Sequence, residues 1–129
     1  MQIEHLALWV QDLELMKAFY QTYFDTTAGE KYTNSTTQLV SYFIYFGGDN
    51  TRLELMTRFD IQAEVGKRGF SMGLAHFAIS VGGKEKVNTL TERLRNDHYT
   101  ICKEPRTTGD GYYESAILDP EGNYIEISA

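Results

Sequence analysis

The chain has 129 residues, 42% hydrophobic, 13% aromatic and 23% charged, which suffices for one ordinary domain with a packed core. Its formal charge of −6 comes with no basic cluster, so nucleic acid and anionic membrane are excluded as expected partners. A lone cysteine, Cys102, excludes an internal disulfide and a CxxC site. Beside Ile101 it reads as an ordinary strand residue rather than a catalytic thiol. The opening residues, MQIEHLALWV, carry neither the basic region nor the small-residue cleavage site of a signal peptide. No apolar run is long enough to span a bilayer, and a cytoplasmic location is expected.

In chain order, IEHLALWV (3–10) alternates as a strand does, with Leu6, Leu8 and Val10 on one face and His5, Ala7 and Trp9 on the other. Asp12 is a candidate N-cap for a helix whose apolar positions Leu13, Met16, Phe19, Tyr20, Tyr23 and Phe24 recur at steps of three and four. Strands are expected over 26–32, 39–46 and 52–57, with a turn signal GGDN at 47–50. Residues 58–72, polar and containing Gly66 and Gly69, read as a linker. GLAHFAISV (73–81) reads as a strand in which Phe77, Ile79 and Val81 oppose Leu74, His76, Ala78 and Ser80. Val87, Leu90 and Leu94 mark a second helix ending at Asn96 and Asp97. Strands are expected over 99–103, 111–118 and 123–128, the last preceded by the turn DPEGN at 119–123. His98, just after the second helix, has no counterpart in the first half and is expected on the surface.

The order repeats. HLALWV at His5 lies over HFAISV at His76, 71 residues later, and RLELM around Glu54 is echoed by YIEIS around Glu126, 72 residues later. That is an internal duplication of a β-α-β-β-β unit. A single half cannot bury both faces of its sheet. The expected fold is therefore α+β: two βαβββ modules, 1–57 and 73–129 joined by 58–72, forming one domain with a shared core, helices on one face and a cavity on the other.

In every histidine or glutamate strand one face is wholly apolar, so it belongs to the helix-covered core. His5, Glu54, His76 and Glu126 all fall on the opposite face. A single histidine or glutamate in a strand is ordinarily structural or solvated. Four in duplicated positions are expected to converge, and two imidazoles with two carboxylates suit a divalent transition metal. Trp9 and Met56 share that face and are expected to line the cavity. Arg58 reads either as an anion clamp for a substrate carboxylate or as a solvated linker charge. Residues 104–115, EPRTTGDGYYES, read either as a cavity-mouth loop with Arg106, Tyr112 and Tyr113 closing over substrate, or as a plain hairpin.

HLALWVQDLELMKAFY, RLELM, GLAHFAISV and especially ILDPEGNYIEI make the chain resemble the vicinal-oxygen-chelate superfamily over almost its whole length, in particular small glyoxalase I-like proteins. The resemblance implies a curved mixed sheet around a metal-binding cavity, the four metal ligands His5, Glu54, His76 and Glu126, and a homodimer in which the metal site is shared between subunits or lies within one chain. It implies one divalent metal per site, nickel or cobalt before zinc. The reaction it implies is isomerisation of a 2-oxoaldehyde–thiol hemithioacetal to a 2-hydroxyacyl thioester, with a small-molecule thiol adduct as substrate. Glu126 is then the base, with Glu54 as the symmetry-related carboxylate. Where glutathione-using members hold a glutathione carboxylate with an arginine, this chain has Trp9, so the thiol is left open. Another chemistry on the same site, of methylmalonyl-CoA epimerase or dioxygenase type, and a small-molecule binding or resistance role are the alternatives.

Overall fold

The computed structural model describes residues 1–47, 51–62 and 68–129. The chain divides into two compact units, Met1–Val65 and Gly66–Ala129, and the division falls within the segment expected to link the modules.

In the first unit the elements run β1 (His5–Trp9), α1 (Leu13–Tyr23), β2 (Thr27–Ala28), β3 (Tyr32–Asn34), β4 (Leu39–Tyr45) and β5 (Arg52–Thr57). The sheet order is β1-β5-β4-β2, with β3 also on β4. Asp12 caps α1, its carboxylate accepting from the Leu15 N–H at 2.9 Å, a contact of the kind that contributes about 1 kcal/mol. α1 buries Leu13, Met16, Phe19 and Tyr20 towards β4 and β5, where Ile44, Leu53 and Leu55 are buried. The core of this unit is therefore the layer between α1 and one sheet face. On that side Tyr42 donates its hydroxyl hydrogen to Glu14 at 3.0 Å, and the ammonium of Lys17 lies 4.2 Å from its ring centroid.

The strand expected over 26–32 is two short strands. Ala28 opposes Ile44, while Tyr32 opposes Ser41. Four steps on one side thus face three on the other, and the extra residue breaks the edge as a bulge does. Residues 48–50 of the expected turn and residues 63–67 of the linker, Gly66 among them, lie outside the described residues.

The second unit repeats the plan with β6 (Phe77–Ser80), α2 (Lys84–Asn96), β7 (Ile101–Thr107), β8 (Tyr113–Leu118) and β9 (Tyr124–Ser128), in sheet order β6-β9-β8-β7. α2 buries Val87, Thr91 and Leu94 towards β7, β8 and β9, where Ile117, Ile125 and Ile127 are fully buried. Two buried hydroxyls tie helix to sheet: Thr91 Oγ1 donates to the Val87 carbonyl at 2.7 Å and lies 2.7 Å from Ser115 Oγ. α2 ends at Asn96 with Asp97 as its C-cap, and exposed His98 takes the left-handed conformation (φ 67°) that closes many helices. The DPEGN turn is organised by Asp119, 3% exposed. Its carboxylate accepts from the N–H groups of Glu121 (3.0 Å) and Asn123 (2.9 Å) and from the Asn123 side chain (2.6 Å). Gly122 supplies the positive φ of 82°.

Three boundaries differ from expectation. β6 begins at Phe77, so His76 stands one residue ahead of its strand. β7 extends to Thr107 rather than stopping at residue 103. It does so as a strand with register shifts between Ile101 and Lys103 and between Lys103 and Arg106, which accommodates Pro105 at the sheet edge. β8 starts at Tyr113, because residues 108–112 form a turn closed by the Thr108 N–H donating to the Tyr112 carbonyl at 2.8 Å.

Lys17, then Lys31 and Tyr42, hold the Glu14 carboxyl down to about 2 from its ordinary 4.5. A carboxyl lowered on folding stabilises the folded state fully above the unfolded value, and that contribution disappears as pH falls through the folded one. The stability advantage of the native chain over Glu14→Gln is therefore expected to be constant above about pH 4.5 and to vanish towards pH 2, as measured by urea denaturation across that range. Because Glu14 and Lys31 are exposed, salt should shrink it.

Candidate metal centre

Each unit carries one His–Glu pair, and parallel strand pairing creates both. β1 and β5 are parallel, with His5 opposite Arg52, Ala7 opposite Glu54 and Trp9 opposite Met56. β6 and β9 are parallel, with Ala78 opposite Glu126 and Ser80 opposite Ser128. Each glutamate thus faces an alanine two residues beyond the histidine on the neighbouring strand, in the same way in both units. His5 Nε2 is 3.9 Å from Glu54 Oε2, and His76 Nε2 is 3.1 Å from Glu126 Oε2. The imidazoles are exposed, whereas the Glu54 and Glu126 side chains are only 16% and 13% exposed.

The two imidazoles are held differently. His5 Nδ1 is bonded to Glu4, whose other carboxylate oxygen accepts from Arg52. The His5 contact, then that of Arg52, lowers the Glu4 carboxyl below its ordinary range against some desolvation. The Arg52 guanidinium lies 4.0 Å from the Phe43 ring centroid, and Phe43 meets the His5 ring edge-on at 5.5 Å. His76 instead leans on Tyr124 (ring centroids 6.1 Å apart), and Phe70 meets the same tyrosine edge-on at 6.1 Å.

Gly69, with φ 81°, allows this second arrangement. A Cβ there would lie 2.4 Å from the carbonyl oxygen of Ala75, the residue before His76. With His76 outside the strand ladder, that close backbone approach and the Tyr124 ring are what position it.

Imidazole nitrogen and carboxylate oxygen are the donors a divalent transition metal takes. In the first unit the second ring nitrogen of the histidine already has a carboxylate partner, the usual outer arrangement of a ligating histidine. Each unit supplies one pair, and no group of three or more histidine, cysteine, aspartate or glutamate side chains that could hold a metal ion is found among the described residues.

The other residues singled out in the sequence divide. Trp9, 36% exposed, and Met56 face each other on the His5–Glu54 face. The Arg58 guanidinium lies 5.4 Å from the Trp9 ring centroid and its Nε is 2.5 Å from Asp60 Oδ1. It holds the Asp60 carboxyl below its ordinary value, so its charge is already partnered. Residues 104–115 belong to the β7–β8 hairpin. Arg106 opposes Glu114, and Glu114 opposes Ser128 on the Glu126 face. Arg106 Nη2 is 3.3 Å from Glu114 Oε1, and its Nη1 is buried without a hydrogen-bond partner among the described residues. Tyr112 is exposed in the turn. Tyr113 does not share the Glu126 face: it alternates with Glu114, packs near Lys84 and donates its hydroxyl to Asn88 of α2 at 2.8 Å. It is a residue of the helix side, because strand alternation sends it there. Cys102 lies exposed on β7, its thiol pushed up by partial desolvation.

Glu4, Arg52, Phe43 and Gly69 were not identified from sequence. Strand parity alone puts Arg52 on the Glu54 face and could have flagged it. It would put Glu4 on the side away from His5, so no sequence signal reveals that contact.

The Glyoxalase/Bleomycin resistance protein/Dioxygenase superfamily pattern matches residues 2–127, and the chain belongs to that family. Among solved structures, the trypanothione-dependent glyoxalase I of Leishmania major is 21% identical with a TM-score of 0.78, over 99% of this chain and 86% of that one. A glyoxalase family protein from Enterococcus faecalis is 18% identical with a TM-score of 0.76, over 99% and 97%. A glyoxalase I variant from Zea mays is 23% identical with a TM-score of 0.77, over 98% of this chain and 44% of that one. These likenesses are of fold. No curated protein matches the chain. Among the described residues no helix is long and apolar enough to cross a membrane.

Gly69→Ala is expected to cost about 1–3 kcal/mol, since it combines a disfavoured φ with a backbone clash. Gly109→Ala, where an added Cβ meets nothing within 4 Å, should stay within about 0.5 kcal/mol. Urea unfolding of the two variants checks this.

Proposed function

We propose that this chain is a metal-dependent glyoxalase I-like lyase. It isomerises a 2-oxoaldehyde–thiol hemithioacetal to a 2-hydroxyacyl thioester, the lactoylglutathione lyase type of reaction, as a cytoplasmic homodimer. The observation that carries this reading is the pair of His–Glu couples in equivalent register, with both glutamates half-shielded on the face away from the helices. Family membership supports it.

His5, Glu54, His76 and Glu126 would hold one divalent metal per site, nickel or cobalt before zinc. When bound, the metal supplies Lewis acidity towards the oxygens of the substrate. The chain's own residues supply the proton transfer. The hemithioacetal carbon loses its C–H proton to the Glu126 carboxylate, and the same carboxyl returns it to the neighbouring carbon that was the ketone. The hydroxyl proton leaves the first carbon as it becomes the thioester carbonyl, and one reaches the new alcohol, so the step is a net isomerisation with no redox partner. Shielding of Glu126 from water favours its carboxyl delivering the proton back to substrate rather than losing it to solvent. Glu54 is the corresponding carboxylate of the first unit. Trp9 and Met56 offer apolar surface on the His5 face, and Arg106, whose Nη1 has no partner among the described residues, offers a donor on the Glu126 face. Neither Cys102 nor another nucleophile is required.

Titration of metal-free protein with nickel, cobalt and zinc should show about one tight divalent ion per site, weakened at least tenfold in His5→Ala and in His76→Ala. Thioester formation from methylglyoxal, followed by absorbance with a panel of small thiols including glutathione and trypanothione, should identify the thiol. Metal binding without activity on any thiol would direct attention to epimerase or dioxygenase chemistry. Separately, Glu126→Gln should lower kcat by about 10²–10⁴-fold while metal affinity falls far less. Equal losses in both would remove the base role.

A further inference from the structure

The two histidines differ in what stands behind them. His5 Nδ1 is bonded to Glu4, and Arg52 takes that carboxylate's other oxygen. Ala75 precedes His76 and has no side chain that could do the same. Neutral imidazole can carry its proton on either nitrogen, and only the nitrogen without it can donate electrons to a ligand. A carboxylate at Nδ1 keeps the proton there and leaves Nε2, the atom turned towards Glu54, as the lone-pair donor. Arg52 bears on the ring from a second side through Phe43, its guanidinium 4.0 Å from that ring's centroid, with the phenyl edge-on to His5 at 5.5 Å. Arg52 also holds the Glu4 backbone, its N–H donating to the Glu4 carbonyl at 3.0 Å.

We propose that Glu4, braced by Arg52, is a positioning residue that fixes the tautomer and orientation of His5, so that one half of the duplicated site is preset for a divalent metal and the other, built on His76, is not. This rests on the reading of His5 as a metal ligand. The first unit therefore contributes the preorganised imidazole, and binding of the ion must itself select the donor form of His76.

The test uses the full chain, metal-free, with Glu4→Ala and Glu4→Gln. Long-range proton–nitrogen correlation spectra at about pH 8, where imidazole is neutral, report the tautomer of each of the three histidines. His5 should be the Nδ1–H form in the native chain and revert towards the Nε2–H form in Glu4→Ala, with His76 and His98 unmoved. Glu4→Gln keeps an acceptor oxygen and should retain the native tautomer. Cobalt affinity, read from its visible absorption, should fall about tenfold or more in Glu4→Ala and be largely rescued in Glu4→Gln. An unchanged His5 tautomer in Glu4→Ala overturns the proposal while leaving the metal reading intact, as does a changed tautomer with unchanged cobalt affinity. A native chain that binds no cobalt overturns the metal reading and this inference with it.

Discussion

Parallel pairing of the first and last strands of each unit is the constraint on which the rest depends. In a parallel pair the register fixes which side chains stand side by side, and alternation fixes the face they share. Pairing Ala7 with Glu54 and Ala78 with Glu126 puts a small side chain beside each carboxylate. The histidine lies two residues back on the same face. A slip of one residue would turn Glu54 into the helix-covered core and Leu53 or Leu55 out of it. The buried leucines and isoleucines of β5 and β9 therefore hold the glutamates in place as surely as any contact made by the glutamates themselves.

The duplication is close in backbone plan and loose in support. β1 holds His5 inside the ladder, with Glu4, Arg52 and Phe43 around it. His76 stands ahead of β6 and depends on the Gly69–Ala75 approach and on Tyr124. The open face carries Trp9 and Met56 in one unit and the Arg106–Glu114 pair in the other. The two units thus repeat a His–Glu couple while surrounding it with different side chains.

Most of the architecture could be read along the chain. Asp12 caps α1 as its residue type and position suggest, Arg52–Thr57 is the strand expected, and DPEGN is the turn expected, because each of these is decided by local chemistry. The misplacements come where neighbours decide. The edge strand after α1 is split by a one-residue mismatch with β4, and β7 runs four residues further because β8 supplies partners for it. Tyr113 lies in a strand, as expected, and only its partners on α2 show that it faces the helix.

By itself the sequence determined the βαβββ repeat, the apolar face of each strand, and the placing of His5 with Glu54 and of His76 with Glu126 opposite that apolar face within each unit, since period and duplication are one-dimensional properties. Only the tertiary structure decided which side chains stand behind those four. Glu4 reaches His5 because the residue before a strand is released from strict alternation, and Arg52 meets both only through the β1–β5 register. The position of His76 likewise depends on a glycine seven residues earlier that lets two backbone segments approach. Contacts made across strands, or between a strand and a turn, leave no period in the sequence, and so they become visible only once the chain has folded.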